Sequence, residues 1–132
     1  MRIIGLNDAA IQIFEDNSAR GFHDAPIENG TLLMLVVSEL SEALEADRKG
    51  KHADIDAYNA NLQADDINPG DREEYDRGAF VFLIKDTFED EIADAMIRLL
   101  DLSALRGIDI EWHIEQKLAY NRTRPHKHGK DY

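Results

Sequence analysis

The sequence contains no cysteine and only three prolines among its 132 residues. Without cysteine there can be no disulfide bond, thiolate nucleophile, zinc ribbon or iron–sulfur site, and a reducing compartment is the expected setting. Long hydrophobic runs are missing too, since the longest, residues 32–37, is far shorter than the roughly 20 residues of a membrane span. The first residues lack the long apolar centre of a signal peptide. We therefore expect a cytoplasmic protein that does not enter a membrane.

Basic residues are also scarce, because 15 Lys and Arg oppose 27 Asp and Glu and leave a net charge of −12. This excess repels a phosphate backbone, so a nucleic-acid polymer is not an expected partner. The imbalance is uneven along the chain. Residues 113–132 hold five cations against two acids, whereas residues 1–112 hold 10 cations against 25 acids. An acidic body thus ends in a basic segment, which is either an anion-binding element or a solvated terminus.

The hydrophobic pattern is helical, with no convincing alternation of strand type. Residues 51–79 interrupt it, because they are polar and contain the turn signal Asn68-Pro69-Gly70. We interpret this stretch as a long loop, with one short helical turn at most. Four main helices are predicted, over about residues 8–20 with Asn7 as N-cap, 29–50, 86–107 and 109–125.

The length favours one domain. The expected fold is therefore a single all-α domain over residues 1–132, a four-helix-type bundle. It would have the 51–79 loop as an insertion between the second and third helices, and a basic tail over residues 122–132.

Two pairs of carboxylates lie on or beside apolar helical stripes. Glu39 and Glu42 are three residues apart on the second predicted helix, as are Glu91 and Asp94 on the third, so each pair shares one helix face. If the two helices pack antiparallel, the four carboxylates can converge. A cluster of oxygen ligands without His or Cys suits magnesium, manganese or calcium. The alternative is that these are ordinary solvated acids, which are common in so acidic a chain.

The end of the chain carries side chains that suit a polyphosphate. Lys117, Asn121 and Arg124 are four and three residues apart and can share a face as the fourth helix ends, with Lys127 and Lys130 following. Arginine offers a bidentate fork to phosphate and lysine a point charge. The acidic cluster and the basic segment could therefore hold opposite sides of one magnesium-bound phosphate ligand.

Together these features resemble the MazG-like branch of the all-α nucleoside triphosphate pyrophosphohydrolases. The resemblance is carried by residues 38–45 (SELSEALE), 90–94 (DEIAD), 117–130 and 17–22 (NSARGF), and it covers about residues 7–50 and 85–130. The family's metal ligands form a Glu-Glu-x-x-Glu motif followed by Glu-x-x-Asp, which implies magnesium, or manganese in its place, on Glu39, Glu42, Glu91 and Asp94. The sequence departs from the family at Ser38, where many members have Glu, and in its longer interval after Glu42.

The reaction implied by the resemblance is hydrolysis of a nucleoside or deoxynucleoside triphosphate to the monophosphate and pyrophosphate, as in nucleotide-pool house-cleaning. Glu39 or Glu42 would then be the catalytic base. The implied phosphate-binding residues are Lys117, Asn121, Arg124, Lys127 and Lys130. The resemblance also implies a homodimer or homotetramer. From the residues alone, a non-catalytic acidic helical module that binds a metal or a protein partner remains the alternative.

Overall fold

The computed structural model describes residues 5–126. This part of the chain is all-helical, which confirms the predicted all-α class. Its elements are α1 (Leu6–Ala19), α2 (Asn29–Arg48), α3 (Ile55–Leu62), a 3-10 helix (Pro69–Asp71), α4 (Arg72–Leu83), α5 (Phe88–Leu105) and α6 (Ile110–Arg122). Among these helices, none combines the length and the apolar character that crossing a membrane requires.

The four predicted helices correspond to α1, α2, α5 and α6. The end of α5 follows the expected pattern, since Gly107 adopts a φ of 66°, which a residue with a side chain rarely does. Asp109 caps α6 as predicted, because its carboxylate accepts a hydrogen bond of 3.0 Å from the backbone N–H of Trp112. Asn7 was wrongly predicted as the cap of α1. Gly5 is the N-cap residue, and Asn7 instead donates from its side chain to Asp109 over 2.9 Å.

The prediction of a long loop over residues 51–79 is wrong, because α3, the 3-10 helix and most of α4 lie there. Asp54 caps α3 by accepting from the N–H of Ala57 at 3.0 Å. Arg72, the first residue of α4, donates to the backbone carbonyls of Ala64 and Leu62 and so ties the connection to α4. Local capping and the half-buried guanidinium of Arg72 thus stabilise helices that the polar composition does not reveal. The described residues hold six α-helices rather than four.

The chain divides into two compact units. One, the central unit, comprises residues 33–96, and the other, the terminal unit, comprises the described residues up to 32 and from 97 onward. The prediction of a single domain stays a prediction.

Within the terminal unit, α1 packs against α6. His23 and Asp101 are joined by a hydrogen bond of 2.9 Å, with only 10% and 12% of their side chains exposed. The ring of Phe14 stacks on His23 at a centroid distance of 5.0 Å. Arg106 donates to the side chain of Asn29 and to the carbonyl of Ile27. Polar side chains therefore anchor the segment between α1 and α2 in this unit.

Within the central unit, α3 packs against α4, and the rings of Tyr58 and Phe80 meet edge to face at 6.1 Å. The buried apolar residues of this unit are small: Val36, Ala43, Ala46 and Ala95. Such side chains supply little apolar area, so their burial contributes modestly to stability. The carboxylates predicted to bind metal lie among them.

Candidate metal centre

Glu39 occupies a core position of α2. The buried residues of this helix are Val36, Glu39, Ala43 and Ala46, whose spacing of three, four and three defines one helix face. A carboxylate thus stands in the middle of an otherwise apolar stripe. Glutamate is almost never buried unless it has a partner or a ligand, so this placement marks Glu39 as a functional candidate.

Glu91 occupies the equivalent kind of position on α5. Thr87, Glu91 and Ala95 are four residues apart and are all buried, with Glu91 only 4% exposed. Thr87 fixes the start of the helix, because its hydroxyl donates to the carbonyl of Ile84 at 2.6 Å and accepts from the N–H of Asp90 at 3.3 Å. This capping places Glu91 one turn inside α5 with its carboxylate facing inward.

The structure brings together three of the four predicted ligands. Glu39, Glu91 and Asp94 each offer a carboxylate oxygen, and these oxygens lie within 4.8 Å of one another. Glu42 is not part of this trio and is itself exposed, but its carboxylate lies close enough to Glu91 to affect that group's pKa. The expected convergence of carboxylates between α2 and α5 is therefore present in the geometry, with Glu42 at its edge.

Burial raises the pKa of Glu91 to about 8 from an ordinary value of 4.5, and the neighbouring carboxylates of Glu39, Glu42 and Asp94 add to this increase. Glu91 Oε2 is buried and accepts no hydrogen bond from any donor of the described chain. A hydrogen bond to Glu39 or Glu42 requires one of the carboxyl groups to carry a proton. The cluster must therefore hold either a shared proton or a cation.

The donor set of the trio fits a hard divalent cation. All of its ligand atoms are carboxylate oxygens, which suit magnesium or manganese better than softer metals. Oε2 of Glu91 is buried without a hydrogen-bond donor, so its lone pairs are available to a cation. Magnesium keeps several waters when a few carboxylates bind it, so three protein ligands leave positions for water and substrate oxygens.

A cavity of about 350 Å³ adjoins the cluster in the central unit. Glu42 and Glu91 contribute to its acidic side, while Lys49 and Lys51 also line it. Lys49 forms an ion pair of 3.3 Å with Glu45. In the sequence, Lys49 lies at the end of the second predicted helix and Lys51 in the predicted loop, and neither was predicted to belong to the site. The structure shows two cations beside a carboxylate cluster, an arrangement that suits an anion bound through a metal.

A second group of acids shares Glu91 with the trio. Oxygens of Asp86, Asp90 and Glu91 lie within 4.8 Å of one another. Asp86 has a φ of 62°, and its N–H donates to the carboxylate of Asp90 at 3.0 Å. Lys85 already pairs with Asp86 at 2.9 Å, so part of this group's charge is offset by a side chain. The carboxylate of Asp90 is thus engaged in a local hydrogen bond at the start of α5.

The predicted phosphate-binding residues of α6 and its end belong to the terminal unit. Lys117 Nζ and Arg124 Cζ lie 5.2 Å and 5.6 Å from the centre of the Tyr120 ring, so both cations gather on one exposed aromatic side chain. Asn121 differs from them, because its Oδ1 is buried and has no hydrogen-bond partner. The other two predicted residues, Lys127 and Lys130, lie outside the described residues.

No family model, curated protein or solved structure matches the chain.

Proposed function

We propose that the protein is a magnesium-dependent nucleoside triphosphate pyrophosphohydrolase, which converts a nucleoside or deoxynucleoside triphosphate and water to the monophosphate and pyrophosphate. The observation that carries the proposal is the buried, unpartnered oxygen of Glu91 among the carboxylates of Glu39 and Asp94. When all of its carboxylates are ionised, such a site is costly in free energy unless a cation neutralises it. A nucleotide triphosphate is a ligand that a divalent cation can share between protein carboxylates and phosphate oxygens.

The buried trio of Glu39, Glu91 and Asp94 would hold the cation. When bound, magnesium would neutralise phosphate oxygens and acidify an attacking water. The trio's own task is to keep its carboxylate oxygens directed at one place, which its position on two helices favours, and to give up the proton of Glu91 when the cation binds. Manganese is the expected substitute, because it prefers the same ligands.

Glu42 is the better placed of the two predicted bases. Glu39 is buried and belongs to the trio, so its lone pairs are committed to the cation. Glu42 is exposed, lines the cavity and lies beside Glu91. It can therefore accept the proton of a water that attacks the α-phosphorus while the trio stays intact.

Two lysines of the central unit would bind phosphate oxygens in this proposal. Lys49 and Lys51 line the cavity next to the trio and would stabilise negative charge on the leaving pyrophosphate. Lys117 and Arg124, with Asn121 between them, were predicted for the same role from the sequence. Their gathering on Tyr120 supports an anion-binding surface at the end of α6. Lys127 and Lys130 stay predictions.

A nucleotide panel tests the proposal. The full chain would be incubated with canonical and modified nucleoside triphosphates, with magnesium or with EDTA, and pyrophosphate and monophosphate would be measured. We expect both products from at least one nucleotide in magnesium and neither in EDTA. If magnesium binds and no nucleotide on the panel is cleaved, the chain is a non-catalytic metal-binding module and the proposal is wrong.

Two variants separate the base from the ligands. Glu42→Gln should lower turnover by about 10²- to 10⁴-fold and leave magnesium binding in place, as expected for loss of a general base. Asp94→Asn should lose both turnover and magnesium binding. Glu74→Gln, an exposed change on α4, is the control and should leave turnover unchanged. Full activity of Glu42→Gln would exclude Glu42 as the base, and normal metal binding by Asp94→Asn would exclude it as a ligand.

A further inference from the structure

The start of α5 carries a second group of carboxylates beside the trio. Its members are Asp86, Asp90 and Glu91, whose oxygens lie within 4.8 Å of one another. Neither Asp86 nor Asp90 was predicted as a ligand from the sequence. Asp86 and Glu91 both line the cavity of about 350 Å³. The second group and the trio therefore adjoin the same cavity of the central unit.

Glu91 belongs to both groups and is the buried member of the second one. It is only 4% exposed and lines the cavity, and its buried Oε2 accepts no hydrogen bond within the described residues. A carboxylate has two oxygens with about four lone-pair sites between them. A cation bound at the trio through one oxygen of Glu91 therefore leaves the other oxygen for a neighbouring cation.

Lys85 shows that the second group already attracts a cation. Its Nζ lies 2.9 Å from Oδ2 of Asp86 and 3.1 Å from Oδ1 of the same residue. The hydrogen bond to Asp86 raises the pKa of Lys85, and the negative charges of Asp86, Asp90 and Glu91 add to the increase. Both side chains of this ion pair are about half exposed, so the pair is weak and a divalent cation can displace the ammonium group.

Asp90 keeps the capacity to bind a cation despite its local hydrogen bond. Its Oδ2 accepts from the N–H of Asp86 at 3.0 Å. One such bond occupies a single lone-pair site of the carboxylate and leaves the others available. The same bond fixes the backbone of Asp86, whose φ is 62°, beside Asp90.

The cavity lining supplies a reason for a cation at this position. Four of its residues are acids and two are lysines. Such a wall repels a polyphosphate unless further positive charge is present. We propose that Asp86, Asp90 and Glu91 bind a second divalent cation, which is linked through Glu91 to the cation of the trio. Its role toward substrate phosphates rests on the proposed function, whereas the binding itself does not.

The second site takes a hard cation but binds it less tightly than the trio. All of its ligand atoms are carboxylate oxygens, which suit magnesium and manganese. Asp86 is exposed and Lys85 competes for its carboxylate, whereas Glu39 and Glu91 of the trio are buried. We therefore expect the trio to fill first and the second site to fill at a higher cation concentration.

Manganese binding to the full chain tests this count. Free Mn²⁺ would be measured by electron paramagnetic resonance, without nucleotide and at physiological ionic strength. The wild type should bind two Mn²⁺ per chain, one tightly and one more weakly. Asp86→Asn and Asp90→Asn should each weaken the second binding event by at least about tenfold and keep the first. Asparagine suits position 86 because, like aspartate, it tolerates a left-handed backbone.

Glu45→Gln is the matched control, because Glu45 lines the same cavity and belongs to neither group. It removes one negative charge without removing a proposed ligand, so both binding events should remain. Lys85→Met removes the competing ammonium group and should tighten the second event by about two- to fivefold. A single Mn²⁺ per chain, or a second one that Glu45→Gln weakens as much as Asp86→Asn does, would overturn the proposal.

The shared carboxylate of Glu91 gives the two cations a spectroscopic signature. Two Mn²⁺ joined through one carboxylate are magnetically coupled, so the fully loaded wild type should show a coupled resonance that Asp86→Asn loses. Two uncoupled Mn²⁺ would place the second cation elsewhere and contradict the assignment. Because no nucleotide is used, the result is independent of the reaction. Two coupled cations without cleavage of any nucleotide would reject only the proposed function, and cleavage with one Mn²⁺ bound would reject only the second site.

Discussion

The raised pKa of Glu91 predicts that the metal-free protein loses stability as the pH rises. The perturbation that tests this is Glu91→Gln, which keeps the size and shape of the side chain and removes its ability to ionise. In the unfolded chain the carboxyl ionises near pH 4.5, and in the folded chain near pH 8. Between these values the folded state holds a proton that the unfolded state has lost, so the free energy of unfolding falls with increasing pH.

The size of the effect follows from the two pKa values. The penalty on the folded state is about 1 kcal/mol at pH 5 and about 3 kcal/mol at pH 7, and it approaches about 5 kcal/mol above pH 8. Glu91→Gln escapes this penalty at every pH. The difference in free energy of unfolding between Glu91→Gln and the wild type should therefore grow with pH. At pH 7 the variant should melt at a temperature roughly 10 °C higher than the wild type.

The assay is urea or thermal unfolding in EDTA at several pH values from 5 to 8. Glu74→Gln is the control, because Glu74 is exposed and its removal should give the same difference from the wild type at every pH. If Glu91→Gln and the wild type follow parallel stability curves over this range, the carboxyl of Glu91 ionises normally in the folded state. The electrostatic account of the cluster would then be wrong.

Three further predictions concern the cation and the two units. Magnesium should stabilise the wild type more at pH 8 than at pH 6, because its binding must displace the proton of Glu91; equal stabilisation in thermal melts at both pH values would contradict this. Arg72→Ala should destabilise the contact of α3 with α4 by about 1–3 kcal/mol, seen as faster hydrogen exchange in both helices, whereas the exposed Arg77→Ala should not. Asp101→Ala should cost about 1–3 kcal/mol in urea unfolding by leaving His23 buried without its partner, and an unchanged midpoint would show that this pair is energetically neutral.

The sequence predicts well those helices whose ends carry strong signals. Asp109 before α6 and Gly107 after α5 are local features, and their geometry follows from the chain itself. The helices α3 and α4 were missed because the contacts that stabilise them join separate parts of the chain. Arg72 binds carbonyls eight and ten residues earlier, and the Tyr58 ring meets Phe80. Residue composition averaged over this stretch does not reveal such pairs.

Part of the candidate site could likewise be predicted from local sequence patterns, and part could not. The spacing between Glu39 and the apolar residues of α2 predicted that Glu39 lies on or beside the apolar face of this helix. In the structure Glu39 belongs to the buried face of α2. The proximity of Lys51 to the carboxylates could not be predicted, because it depends on the turn after α2. There the N–H of Lys51 donates to the carbonyl of Ala46 at 2.8 Å, and its carbonyl accepts from the N–H of Phe88 at 2.9 Å. Backbone hydrogen bonds of this kind have no signature in side-chain type.

The buried carboxylates and the half-exposed leucines of α2 both limit the stability of the central unit. Glu39 and Glu91 occupy positions where leucine or isoleucine would otherwise contribute about 1.5–3 kcal/mol each by burial. The buried apolar side chains around them are small, while Leu33, Leu40 and Leu44 stay half exposed on an adjacent face of α2. The central unit therefore gains little stability from its own interior, and the proposed cation at the carboxylates would supply part of what the interior lacks.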